Sequence, residues 1–128
     1  MRRPRERVEG GSVTLETVLV MPVVFAAMFA VMQGALIYHA RTVAIAAAQE
    51  GARTAGGERA DVGQGIAAAA AFVADAGGPD VLVGASVTGT RSVTTATVTV
   101  TGTSLSVIPG WAPVIRQSAS TPVERITQ

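Results

Sequence analysis

One long uncharged run constrains this chain more than any other feature of its sequence. From Thr17 to Tyr38 there are 22 consecutive residues without a charged side chain, rich in Val, Ala, Met and Phe. At the helical rise of about 1.5 Å per residue, such a run spans roughly 33 Å, which is enough to cross the hydrocarbon core of a bilayer. The sequence therefore predicts a transmembrane helix over residues 17–38, surrounded by membrane lipid.

The residues before this run indicate its orientation. Residues 1–11 carry four arginines and two glutamates, and positively charged flanks stay on the cytoplasmic side of a membrane. We therefore expect a single-pass cell-membrane protein with a cytoplasmic N-terminus and a C-terminal domain outside. A secretory signal peptide fits less well, because its apolar core is shorter and ends at a small-residue cleavage site. A plain signal anchor fits the length and the flanks.

A specific pattern precedes the apolar run. The stretch "EGGSVTLETVLVMPVV" contains Gly10 and Gly11, then a short hydroxyl and β-branched segment, then Glu16. This arrangement resembles the type IV prepilin signature. Together with "AIAAAQEGARTAGG" further along the chain, it resembles the TadE-like pseudopilins of tight-adherence pilus systems.

That resemblance implies both processing and function. A prepilin peptidase would cut between Gly11 and Ser12, which makes residues 1–11 a cytoplasmic leader. The mature chain would be a structural subunit, or a minor or priming component, of a tight-adherence pilus. Its partners would be other pilin-like subunits and the pilus assembly machinery, with incorporation into a surface pilus. The alternative is an uncleaved single-pass module that presents its outer domain to a secretion complex or to the cell wall.

Glu16 has a physical reason to stand at the start of the apolar run. Cleavage after Gly11 would create an amine on Ser12, four residues and about 6 Å from Glu16 along a helix axis. A neighbouring helix displaced by that distance could bring its amine level with this carboxylate. The pair would neutralise two charges that each cost several kcal/mol inside a membrane. The competing interpretation is a glutamate in a first helical turn, stabilised modestly by the helix dipole.

Within the helix, a proline and a stripe of small residues are the other candidate features. Pro22 removes a hydrogen bond to the Val18 carbonyl group and should kink or loosen the helix. Two interpretations are open: a kink that the helix tolerates, and a turn that adapts during assembly. Small residues allow helices to approach closely in lipid. They recur at i+4 spacing in the span, at Ala26, Ala30 and Gly34, and again beyond it, at Ala40, Ala44, Ala48 and Ala52.

Outside the membrane the sequence predicts an α+β head over residues 55–128. The long helix should cover residues 12–54 and end before Gly56 and Gly57. A second, short helix should begin at a capping box formed by Asp61 and Gln64. Three to four antiparallel strands should follow. We expect them at residues 81–87 and 95–102, with residues 88–92 as a hairpin link, then a strand that ends at Ile108, and a last strand near residues 114–120.

Composition argues against catalysis. The chain has no cysteine, a single histidine, His39, and a formal net charge of +1. No glycine-rich stretch has the Lys-Ser/Thr ending of a phosphate-binding loop. We therefore expect no enzyme activity, no cofactor, no metal site and no nucleic-acid partner. Two features stay open: Trp111 could cover the edge of the core or meet a partner, and the threonine-rich strand face could be solvated or form a lateral contact.

Overall fold

The computed structural model describes residues 10–126. The expected leader falls outside the described residues except for Gly10 and Gly11. Over these described residues the chain forms two α-helices, one short 3₁₀ helix and three strands, in an α+β arrangement that confirms the predicted fold class. In chain order these are α1 (Gly10–Gly56), α2 (Val62–Asp75), the 3₁₀ helix (Gly78–Asp80), β1 (Leu82–Arg91), β2 (Thr95–Ser104) and β3 (Val114–Pro122).

Helix α1 has 47 residues, which corresponds to roughly 70 Å. It is unbroken at Pro22 and ends slightly later than the sequence pattern predicts. The reason is a tertiary contact, because the Glu124 N–H donates a 2.9 Å hydrogen bond to the Gly56 carbonyl group. A helix end needs such partners for its last carbonyl groups, and here the chain beyond β3 supplies one.

Helix α2 begins at the predicted capping box. The Asp61 carboxylate accepts a 2.9 Å hydrogen bond from the Gln64 N–H, and the Gln64 side-chain oxygen accepts a 3.2 Å bond from the Asp61 N–H. Two glycines let α2 lie directly on α1. A Cβ atom built on Gly51 would come within 2.7 Å of the Gly65 carbonyl oxygen, so the two helix backbones are in close contact there.

The sheet has the order β1-β2-β3 with both pairs antiparallel. Ala96, Val98 and Val100 of the central strand are fully buried, which confirms the inward face expected from their alternation. Val98 and Val100 join one core with the upper part of α1 and with α2. The other buried members of this core are Ala40, Ala44, Ala47, Ala48, Ala52, Ala69, Val73, Leu82 and Ile115.

The threonine-rich face of β2 forms hydroxyl contacts with β3. The hydroxyl groups of Thr97 and Ser120 lie 2.8 Å apart, and those of Thr99 and Ser118 lie 3.0 Å apart. These side chains alternate with the buried ones and therefore point away from the helices. The sheet therefore packs one face on the core and presents these hydroxyl groups on its other face.

Strand β1 differs from the expected strand in length and in alternation. It continues to Arg91, so the turn lies at residues 92–94, where the Ser92 N–H donates to the Thr95 carbonyl group at 2.8 Å; the predicted link at 88–92 is wrong. The pairing register shifts between Val83 and Ser86. Gly84 has φ +60°, a conformation that other residues adopt at a cost. The resulting bulge leaves Val83 43% exposed.

The possible fourth strand, ending at Ile108, does not form. Residues 105–113 are a loop between β2 and β3. Pro109 and Pro113 lack the N–H groups that a strand ladder uses. The Gln33 side chain takes up backbone groups of Leu105 and Val107 instead. The sheet therefore has three strands, the lower number expected.

Candidate functional site

Helix α1 divides into two segments of different surroundings. In the lower segment, residues 11–32, every side chain is exposed; in the upper segment, residues 33–56, one side packs against α2 and the sheet. In the part of the chain that the structure describes, α1 is the one helix long and apolar enough to cross a membrane, and its apolar window has no buried residue. The lower segment is therefore the candidate membrane and assembly surface.

Gln33 marks the boundary between the two segments. Its side chain is only 1% exposed. Its Nε2 group donates a 3.1 Å hydrogen bond to the Leu105 carbonyl oxygen, and its Oε1 atom accepts a 2.9 Å bond from the Val107 N–H. Sequence reasoning missed this residue, although a lone side-chain amide in an uncharged run is a visible signal. A buried amide needs such partners, so Gln33 ties the β2–β3 loop to the helix.

Glu16 is exposed and is the one charged residue between positions 11 and 32. It lies on a shallow surface groove of the helix with Val13, Val20 and Val24. Among residues 10–126 the ion pair formed is Arg53–Glu50, so Glu16 has no charge partner within the described chain. Its neighbours in this groove are mainly apolar, and its pairing with a charge from another molecule stays a prediction.

The residues of the predicted cleavage site lie in the first turn of α1, which begins at Gly10. A Cβ atom built on Gly11 would have no neighbour within 4 Å, so the backbone at this glycine is open. Cleavage between Gly11 and Ser12 stays a prediction.

The two stripes of small residues have different surroundings. Pro22, Ala26, Ala30 and Gly34 are exposed, and the backbone at Gly34 is open. Gly34 also borders a groove between α1 and β3, beside Tyr38, Ile45 and Gln117. The first stripe, Ala26, Ala30 and Gly34, is thus accessible, and its contact with another helix stays a prediction. The second stripe packs within the chain: Ala40, Ala44, Ala48 and Ala52 are all fully buried.

The remaining candidates carry little chemistry. His39 lies on the exposed side of α1. No group of three or more His, Asp or Glu side chains that could hold a metal ion occurs among residues 10–126. Trp111 is 50% exposed and is not one of the buried core residues; a cover over the core edge and a contact with a partner both stay predictions.

Comparison with known proteins matches most of the long helix to a protein family. The family model described as TadE-like protein matches residues 11–53, which include the lower segment and most of the upper one. A search of curated proteins and a search of solved structures each find no match. The matched range begins at Gly11 and contains Glu16. Both residues belong to the pattern on which the resemblance to this family depends. Over residues 11–53 this chain is therefore similar to the TadE-like family.

Proposed function

We propose that the protein is a pseudopilin-like subunit associated with a tight-adherence pilus. In this proposal a prepilin peptidase cuts it between Gly11 and Ser12, and α1 then assembles it with other pilin-like subunits, as a structural, minor or priming component. One observation carries the proposal: the range that matches the TadE-like family includes an apolar helical segment that its own head leaves bare. The head covers the helix only from Gln33 onward.

The contact at Gln33 also supports a revised position for the membrane span. The β2–β3 loop lies beside Gln33, inside the span of residues 17–38 expected from charge alone. A bilayer core of about 30 Å needs about 20 helical residues. Counting back from Met32, such a span begins near Val13. We therefore infer that the membrane segment lies closer to the N-terminus, with the head directly above it.

This position places Glu16 inside the inner edge of the bilayer. A lone carboxylate there costs several kcal/mol, and no residue among 10–126 forms an ion pair with it. An amine on Ser12 of a neighbouring subunit, made available by cleavage, would offset this cost if that subunit is displaced by about 6 Å along the helix axis. The charge of Glu16 would then favour the assembled subunit over a single subunit in lipid.

The first test is the intact mass of the membrane form of the protein. We expect a mature chain that begins at Ser12, and we expect Gly11→Ala to slow processing. Ala at Gly11 meets open space, so impaired processing would reflect recognition of the glycine and not a packing defect. A native chain that keeps residues 1–11 would contradict the proposed cut and favour the uncleaved membrane-anchored module.

The second test changes the charge of Glu16. We expect Glu16→Gln, which keeps the shape of the side chain, to reduce incorporation into pili by at least about tenfold, because a lost charge pair worth about 1.4 kcal/mol changes an equilibrium by that factor. Membrane insertion should be unchanged. Quantitative immunoblots of sheared pili and of membranes measure both.

The matched control for Glu16 is its neighbour. Thr17→Val removes a hydroxyl group that bonds to the helix's own Val13 carbonyl oxygen at 2.8 Å, and it should leave incorporation close to that of the native chain. Equal incorporation of the Glu16→Gln variant and the native protein would refute the charge pairing.

A further inference from the structure

We propose that the β2–β3 loop, residues 105–113, is a second membrane contact that lies in the boundary between headgroups and acyl chains of the outer leaflet. This inference rests on the proposed membrane anchor and adds to it a lipid-binding surface on the head. Three observations carry it: the position of the loop along α1, its composition, and the hydrogen bonds that part of its backbone already makes within the protein.

The loop lies at the membrane-proximal end of the head. Gln33 bonds to its backbone at both Leu105 and Val107, next to the last residue of the bare lower segment. The opposite end of the sheet lies near the top of α1, where the Arg91 guanidinium donates a 3.1 Å hydrogen bond to the Gly57 carbonyl oxygen. About 24 helical residues separate these two levels, or roughly 36 Å. Only the loop end of the sheet is within reach of the bilayer.

The loop carries fewer charged side chains than the opposite end of the head, as expected for a segment that contacts lipid. Residues 105–114, "LSVIPGWAPV", contain no charged residue, and Trp111 and Val114 are 50% and 72% exposed. Tryptophan is enriched where a membrane meets water, because its ring is apolar and its N–H is polar. The opposite end of the head carries Arg91, Glu124 and Arg125 on its surface groove instead.

Part of the loop backbone is already hydrogen-bonded within the protein. The Trp111 N–H donates to the Ile108 carbonyl group at 3.2 Å, and the Ser104 N–H donates to the Pro113 carbonyl group at 3.0 Å. The Ser106 hydroxyl donates to the Ile108 carbonyl oxygen at 2.7 Å. A segment that enters a dry environment pays for each unpaired backbone group. These groups of the loop meet that requirement, and the Trp111 side chain beside them is 50% exposed.

Lipid is the occupant that this geometry favours. The exposed apolar surface of the loop begins beside Gln33, where the exposed apolar surface of the lower segment ends. The two surfaces are therefore continuous, and a bilayer that surrounds residues 13–32 already touches the loop. The loop would hold the head against the outer leaflet and limit the tilt of α1.

The test uses the intrinsic fluorescence of Trp111, the one tryptophan of the chain. The full chain is reconstituted at low density in vesicles of phosphatidylcholine and phosphatidylglycerol, with or without lipids brominated at defined acyl positions. We expect a blue-shifted emission and about twofold quenching, strongest for bromine close to the headgroup, because interfacial tryptophans lie at that depth. Water-like emission without quenching would overturn the proposal.

Two relocated tryptophans, each in a Trp111→Phe background, separate this proposal from the anchor on which it rests. Phe25→Trp reports the lower segment and should be quenched by deep bromines. Val93→Trp reports the exposed turn at the far end of the head, where Val93 is 72% exposed, and should not be quenched. Quenching at position 25 without quenching of Trp111 refutes the loop contact and keeps the anchor. Absence of quenching at both positions refutes the anchor and the loop contact together.

A second copy of the chain is the competing occupant of the loop surface. Contact with another subunit would shift the Trp111 emission without lipid quenching, and the shift would disappear as the lipid-to-protein ratio is raised. That outcome overturns the lipid contact. Emission and quenching that are unchanged on dilution with lipid support it.

Discussion

The lower and upper segments of α1 have similar residues but opposite surroundings. Both carry small residues four positions apart, yet Ala26 and Ala30 are exposed while Ala44 and Ala48 are fully buried. The difference shows that a stripe of small residues indicates close approach without indicating the partner. In the upper segment the partner is the chain's own head. In the lower segment no part of the described chain covers the stripe, and a partner helix stays a prediction.

The physical reason for close packing also differs between the segments. In water, burial of alanine and valine against the sheet is driven by the hydrophobic effect. In lipid, helix association gains little from that effect and depends on close van der Waals packing. The same substitution should therefore affect the stability of the head in one segment and only membrane assembly in the other.

The largest expected effect is overpacking in the upper segment. Ala48→Leu adds three carbon atoms at a fully buried position and should lower the free energy of unfolding of the head by about 1–3 kcal/mol. The measurement is urea unfolding of the full chain in detergent micelles, followed by amide hydrogen exchange of β2.

The matched control for Ala48 is the same change in the lower segment. Ala30→Leu lies on the exposed part of α1 and should leave the unfolding of the head unchanged. If both variants lowered stability equally, the division of α1 into two segments would be wrong.

A smaller effect is expected at the contact between the two helices. A Cβ atom on Gly51 would lie 2.9 Å from both Ala69 and Val98 side-chain atoms, besides its approach to the Gly65 carbonyl oxygen. Gly51→Ala should therefore lower the stability of the head by about 1 kcal/mol, because the clash exceeds the gain in helix propensity. Thermal unfolding of the full chain measures the change.

Gly34→Ala is the control for Gly51, since an added Cβ atom there meets nothing within 4 Å. Its thermal midpoint should equal or exceed that of the native chain, because alanine favours a helix more than glycine does. A Gly51→Ala variant as stable as Gly34→Ala would show that α1 and α2 are not in backbone contact.

The smallest effect is expected at the surface ion pair of the upper segment. The Arg53 and Glu50 side chains lie 2.9 Å apart, and Arg53 is 73% exposed. Arg53→Gln should change stability by less than about 0.5 kcal/mol, since exposed pairs at this spacing contribute little. A loss above about 1 kcal/mol in urea unfolding, abolished by salt, would contradict this expectation.

Several elements were predictable because their determinants are local. The apolar run predicted α1, the Asp61–Gln64 pair predicted the start of α2, and the alternation of Ala96, Val98 and Val100 predicted the buried face of β2. Each depends on residues within one or two turns or on one strand. The ion pair of Glu50 and Arg53 was predictable for the same reason.

The features that sequence reasoning missed depend on residues far apart in the chain. The bulge at Gly84 is set by the pairing of β1 with β2. The loop at residues 105–113 is held by Gln33, more than 70 positions earlier. Nothing in the local pattern of Leu105–Ile108 distinguishes such a loop from a short strand.

The sequence by itself determined a long apolar helix with one carboxylate at its start, because hydropathy, charge and helix propensity are properties of neighbouring residues. Only the tertiary structure decided where that helix leaves its own head, because the boundary at Gln33 exists through hydrogen bonds to a distant loop. That boundary separates the alanines that form the core from those left for lipid or for another subunit.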